Sequence, residues 1–167
     1  MPNLKDPDYE DLLLRCLRLY DGRHAGSLLE QVFFTDGDYL AWLRKQPVRE
    51  GYEDWHKQAA ICKAIFDAQP FTCSCAIKGC SNKVTRSGLF NKSAKPSFYC
   101  DSHSPEDHGA EKHFVKFGRT YNDALDHGNG QKLSHDKIRS LIRSIVTGKG
   151  ITGPFTEEKV ARFFYER

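Results

Sequence analysis

The sequence predicts an α+β chain, and three observations carry that reading. Apolar residues recur at steps of three and four over residues 49–68 and again over 134–148, the period of an amphipathic helix. A glycine-containing bend separates two apolar runs between residues 15 and 34. Closely spaced cysteines at 73–80 and at 100 bracket a stretch suited to a short hairpin. The expected order is a small hairpin-plus-helix unit over 1–70, a cysteine-rich segment over 71–103, and a loop-rich stretch with two C-terminal helices over 104–167, together one compact unit.

The elements follow in order. "DPDYEDLLL" has Asp6 as N-cap and Pro7 in the first turn of a short helix. "RCLRLYDGRHAGSLLEQVFF" reads as a strand, a turn between Gly22 and Gly26, and a second extended piece. "TDGDYLAWLRKQ" is a helix entered through Asp36 or Asp38 and ended before Pro47, with Tyr39 and Trp42 expected in the core. In the 49–68 helix, Tyr52, Trp55, Ala59, Cys62 and Phe66 share one stripe, so Cys62 is expected to be a buried small hydrophobe. Cys16, alone among leucines, is read the same way. Between 104 and 132 the Gly, Asn, Asp and His content predicts mostly loop with short ordered pieces. "SHDKIRSLIRSIVTGKG" is an amphipathic helix with Ser134 as cap, Ile138, Leu141, Ile142, Ile145 and Val146 on the buried face, and Gly148 at its end. A last helix after Thr156 turns Val160, Phe163 and Phe164 inward.

Composition narrows the possible roles. The 167 residues are 39% hydrophobic with a mean hydropathy of −0.61, polar for a compact fold. The acidic N-terminus has no signal-peptide pattern, and no stretch has the length of a membrane span, so a cytoplasmic protein is expected. There, close cysteine pairs signify metal more often than disulfide. The net charge of +3 is uneven: residues 71–103 hold five basic residues against Asp101 alone. That segment is the one expected to face a polyanion.

"FTCSCAIKGC" and "FYCDSH" place five soft ligands where a tetrahedral zinc needs four. Cys100 and His103 form one short-spaced pair. The other is Cys75 with Cys80, or Cys73 with Cys80; the shorter spacing and the Lys78-Gly79 turn favour Cys75. Cys75, Cys80, Cys100 and His103, with Cys73 as the alternative to Cys75, predict a closed, structural Zn2+ site. Val84, Leu89, Phe90, Phe98 and Tyr99 build the hairpin between the pairs, which makes the segment zinc-ribbon-like or treble-clef-like. His108 and His113 lack ligand spacing for a second metal, and Asp123, Asp126 and His127 have no accompanying nuclease motif.

"LYDGRHAGSLLEQVFFTDGDYLAWL", residues 19–43, resembles the small C-terminal domain of exonuclease-X-like proteins, whose pattern is close to G-K-Y-x-G-K, a Val, then D-x-x-Y-x-x-W-L. Tyr20, Gly22 and Arg23 occupy the hairpin part; Val32, Asp36, Tyr39, Trp42 and Leu43 match the rest. Several relatives follow this pattern with a cysteine-rich segment, as "SFYCDSH" does here. The usual Lys at the hairpin tip is replaced by Asp21, Arg23 and His24, and no Asp-x-Glu nuclease motif is present. The resemblance implies an accessory, nucleic-acid-associated module without the hydrolytic part.

The function expected is a zinc-stabilised accessory protein that binds nucleic acid without sequence preference. Its contacts are Lys78, Lys83, Arg86, Lys92 and Lys95, joined by Lys132, Lys137, Arg139 and Arg143, with Phe90, Phe98 or Tyr99 stacking on bases. A protein-interaction factor docking on a nuclease or other host protein is the alternative, and a metal-dependent nuclease the third.

Overall fold

The structure, a computed structural model, describes residues 15–48, 52–90, 92–103 and 115–166. The helix expected at 6–14, and His108 and His113, lie outside the described residues. The chain divides into two compact units: one holds the residues up to Ile65 together with those from Gly153 on, the other Phe66–Thr152. This differs from a three-part division along the sequence, because the last helix belongs with the N-terminal part and residues 71–152 belong together. The architecture is α+β, with six α-helices and one three-stranded antiparallel sheet among the described residues.

In the first unit the expected hairpin is reduced to a single antiparallel bridge between Arg18 and Leu28, around a 3-10 turn at Gly22–His24. The piece expected to be extended is instead helix α1, Leu29–Thr35. Leu29, Val32 and Phe33 have the i, i+3, i+4 spacing of a helix face, and all are buried. Burial of that face outweighs the strand preference of Val and Phe. Asp36 ends α1 and opens α2, Gly37–Lys45, by accepting the Tyr39 backbone N–H at 3.1 Å. α2 stops before Pro47 as expected. α3, Glu53–Ala68, buries Trp55 and Cys62. α6, Glu157–Tyr165, is capped by Thr156, whose hydroxyl accepts the Lys159 N–H at 3.3 Å. Its Phe164 stacks on Phe34 at 5.2 Å and meets Phe33 edge-on at 5.6 Å.

A buried carboxylate lies inside this unit. Glu30 is 0% exposed and accepts hydrogen bonds from the Leu17 N–H at 3.2 Å, the Tyr165 hydroxyl at 2.7 Å and the Gln58 amide at 2.5 Å. Such partners offset a desolvation cost of several kcal/mol. Burial, followed by the Glu30 charge, pushes the Cys16 thiol up to about 12 and moves Cys62 in the same direction. Among the described residues, neither belongs to the candidate metal-ligand group.

In the second unit β1, Arg86–Phe90, is central. It pairs antiparallel with β2, Ser97–Tyr99, through Ser87 opposite Phe98, and with β3, Val115–Gly118, through Gly88 opposite Phe117. The β1–β2 hairpin is the one read from the sequence; β3 was hidden in the expected loop. So was α4, Tyr121–Gly130. Its start is a reciprocal cap: Thr120 Oγ1 accepts the Asp123 N–H at 3.2 Å, and Asp123 accepts the Thr120 N–H at 2.9 Å. α5, His135–Gly148, buries Ile138, Leu141, Ile142, Ile145 and Val146 as expected, although Ser134 makes no side-chain cap bond. Gly128 lets α4 approach α5, since a Cβ there would lie 2.8 Å from Ile138 Cγ1. Among the described residues no helix is long and apolar enough to cross a membrane.

At Gly148 a Cβ would lie 2.5 Å from the Phe98 ring, closer than atoms pack. Gly148→Ala is therefore expected to destabilise the chain by about 1–3 kcal/mol, the usual cost of overpacking. Urea denaturation measures it; a change below about 0.5 kcal/mol, the level of an ordinary surface substitution, would show that the ring yields freely.

Candidate metal centre

Two knuckles meet at one end of the β1–β2 hairpin. The first is held by the Ala76 N–H, which donates to Phe98 O at 2.7 Å, and closes with the Cys80 N–H on Ile77 O at 3.1 Å. Gly79, at φ +80°, makes that turn in a conformation which L side chains rarely adopt. The second follows β2 directly: Cys100 leads into a 3-10 turn at Asp101–His103, with the His103 N–H on Cys100 O at 3.2 Å.

The ligand atoms of Cys75, Cys80, Cys100 and His103 all lie within 4.8 Å of one another. Cys80 Sγ is 3.8 Å from Cys100 Sγ, and His103 Nδ1 lies 3.4 Å from Cys100 Sγ and 3.8 Å from Cys75 Sγ. Zn–S bonds of about 2.3 Å at tetrahedral angles separate two sulfurs by about 3.8 Å, so the spacing suits a four-coordinate ion. The group is close enough to hold a metal ion, and His103 presents Nδ1 to it. Cys75 and Cys100 are buried, while Cys80 and His103 are half-buried. Four protein donors would fill the coordination of a tetrahedral ion.

Groups around the ligands favour thiolates at Cys75 and Cys100, whereas the Cys80 thiol is raised. Asn82 donates its backbone N–H to Cys80 Sγ at 3.4 Å and its side-chain amide to Cys100 Sγ at 3.8 Å. Burial pushes the Cys75 thiol up, but hydrogen bonds, first from the backbone N–H groups of Ile77 and Cys100, bring it below the ordinary thiol value. Cys100 is also lowered: burial opposes this, and hydrogen bonds, first from Cys80 and Asn82, prevail. Asn82 was missed in the sequence; its signal is an amide residue two positions after a ligand, where N–H···S bonds form. Cys73 lies outside the ligand group, and burial raises its thiol.

The basic residues named from the sequence divide into two sets. Lys78, Lys83, Lys92, Lys95, Lys132, Lys137 and Arg143 are exposed. Arg86 is a correction: its side chain is only 11% exposed and pairs with Asp101, which also accepts from the Thr85 hydroxyl at 2.9 Å. Those bonds, Thr85 first and Arg86 second, hold the Asp101 carboxyl below its usual range. Arg139 lies 3.6 Å from Asp136. Arg119, not anticipated, is 62% exposed beside the same Asp101 at 3.9 Å. The stacking aromatics are corrected too, since Tyr99 is buried and Phe98 covers Gly148 and lies 5.4 Å from Phe71. Asp123 is occupied in the α4 cap, and buried His127 faces Phe90 O from Nε2 at 3.1 Å.

The residues that carried the sequence resemblance converge in the first unit. Asp36, nearly buried, accepts Arg23 at 2.8 Å and lies 2.8 Å from His24 Nε2. Tyr39 is buried against His24 at 4.8 Å, whereas Trp42, expected in the core, is 49% exposed. Neither protein-family profiles, nor curated proteins, nor solved structures yield a match to this chain.

The ligand choice has a direct check in metal content by mass spectrometry. Cys73→Ser is expected to retain the metal of the unaltered chain, about one equivalent for a single four-ligand site, while Cys75→Ser and Cys100→Ser lose most of it. Loss on Cys73→Ser with retention on Cys75→Ser would reverse the assignment.

Proposed function

We infer that the chain is a zinc-stabilised accessory protein whose Phe66–Thr152 unit binds nucleic acid through its phosphates. Three thiolates and one imidazole at tetrahedral spacing form a donor set suited to Zn2+, which would hold the two knuckles together and take no part in bond making. One observation carries the binding reading. The unit with the metal site holds 13 Lys/Arg against 8 Asp/Glu, and the other holds 12 against 14. Exposed Lys78 lies between two ligands and exposed Lys83 three residues beyond Cys80, so the metal would fix the backbone that presents them. Lys92, Lys95, Lys137, Arg143 and Arg119 extend the positive surface. Contacts of this kind are salt-sensitive and carry no sequence information. The resemblance to an exonuclease-associated module supports an accessory role without hydrolysis. The structural engagement of Asp123 and His127 makes them poor candidates for nuclease chemistry.

Fluorescence anisotropy with labelled single-stranded DNA, duplex DNA and single-stranded RNA tests the reading. Binding should weaken with salt, with a logarithmic slope of about −0.7 to −0.9 for each phosphate neutralised. Lys78→Glu with Lys83→Glu should lower affinity at least about tenfold while metal content stays unchanged. Absence of binding to all three at low salt would sink the proposal.

A further inference from the structure

The first unit carries an exposed aromatic face that the metal centre does not use. Tyr20 is 59% exposed, and its ring lies 4.6 Å from Trp55 and 6.2 Å from Tyr52. Tyr52 meets Trp55 edge-on at 4.7 Å and donates its hydroxyl to Asp21 at 2.7 Å. Gly22 follows at φ +74°, where a Cβ would lie 3.5 Å from the hydroxyl of buried Tyr39, and half-exposed Trp42 lies 5.4 Å beyond that ring. Large aromatics left half in water in one neighbourhood mark an interaction site more often than a fault of packing.

Among the described residues, the charges beside Tyr20 are mainly negative. Asp21 and Asp54 are exposed and Glu53 is half-exposed. Burial, followed by the charges of Asp21, Glu53 and Asp54, raises the Tyr20 phenol, which places all three carboxylates near that ring. Of the nearby cations, Arg23 lies over Tyr39 at 5.4 Å but gives its charge to Asp36. Lys57 reaches Asp54 at 3.8 Å with both side chains largely exposed, an arrangement of little strength.

We propose that this face docks a proline-rich peptide segment bearing arginine or lysine. An extended polyproline helix has no internal hydrogen bonds, so its backbone polar groups stay open to the surface on which it docks. Its pyrrolidine rings pack flat on aromatic rings, and little chain entropy is lost on docking. A basic side chain beside the prolines meets Asp21, Glu53 and Asp54, or the face of an aromatic ring. A single-stranded nucleic acid also stacks on aromatics, but it brings a negative charge with each nucleotide toward those carboxylates. This surface is separate in residues and in charge from the basic one, so either reading can fail alone.

The chain's two tryptophans are Trp42, half-exposed, and Trp55, buried against the Tyr20 and Tyr52 rings, so intrinsic fluorescence reports occupancy of this face. The full chain is titrated with a proline-rich peptide of about ten residues containing two arginines, with its glutamate counterpart, and with oligothymidine. The arginine peptide should give a saturable change with a Kd of about 10–200 µM, weakened about tenfold by Tyr20→Ala. Asp21→Asn with Asp54→Asn should weaken it several-fold, and Lys78→Glu should leave it unchanged. An unaltered thermal transition and metal content show that Tyr20→Ala is folded; Trp42→Ala gives a second reading at the far end of the face. No saturable change up to about 1 mM overturns the proposal. So does equal binding of the glutamate peptide, affinity indifferent to Tyr20→Ala and Trp42→Ala, or tighter oligothymidine binding that Tyr20→Ala abolishes.

Discussion

Everything in the second unit depends on closure at the base of the β1–β2 hairpin, where two knuckles bring three sulfurs and an imidazole nitrogen within 4.8 Å. The segment joining Cys80 to Cys100 contains both hairpin strands, so joining these residues closes the loop that pairs them. A two-stranded hairpin alone is marginal in water. Here it gains a third strand on β1 and helices that bury its apolar side chains. Phe98 joins these parts: it pairs with Ser87, covers Gly148 at the end of α5 and lies against Phe71 before the first knuckle. Lys149 adds to this join, with Nζ donating to Gln69 O at 2.6 Å and lying 4.7 Å from the Phe71 ring. A bound metal would thus stabilise sheet, helix end and knuckle together, because ligation free energy is folding free energy.

The first unit solves a different problem, the accommodation of two buried carboxylates. Glu30 is satisfied by backbone, amide and phenol donors; Asp36 is satisfied by a helix N–H and by Arg23 and His24. Removing a partner from either leaves a buried charge exposed to its full desolvation cost, larger than the net value of the bond itself. Asp36 also helps position the aromatic residues of α2. Asp36 sets the start of α2, which carries Tyr39 and Trp42, and holds Arg23 over the Tyr39 ring.

The two units differ in what they present to solvent. One is basic and carries the metal site; the other is slightly acidic and presents Tyr20 and Trp42. The proposed phosphate binding and the proposed peptide docking would therefore rely on different units and on opposite charge.

The sequence by itself determined the helices with a strong apolar period, the β1–β2 hairpin and the candidate ligands Cys80, Cys100 and His103, with Cys75 or Cys73 as the fourth. Each of these is a local pattern: a 3.6-residue period, a pair of short apolar runs, or two short-spaced donor pairs. Tertiary structure decided the rest. Helix α1 won over an extended reading because Leu29, Val32 and Phe33 gain more by facing one core than by alternating. Strand β3 and helix α4 were obscured by glycine and asparagine, although Thr120 and Asp123 announce the cap; only packing against Ile138 explains Gly128. The last helix joined the N-terminal part because Phe164 stacks on Phe34, a pairing that no local window contains. Arg86 and Trp42 exchanged their expected places, one drawn to Asp101 and the other left in water. Exposure is a property of what a distant part of the chain covers, and local periodicity carries no record of that.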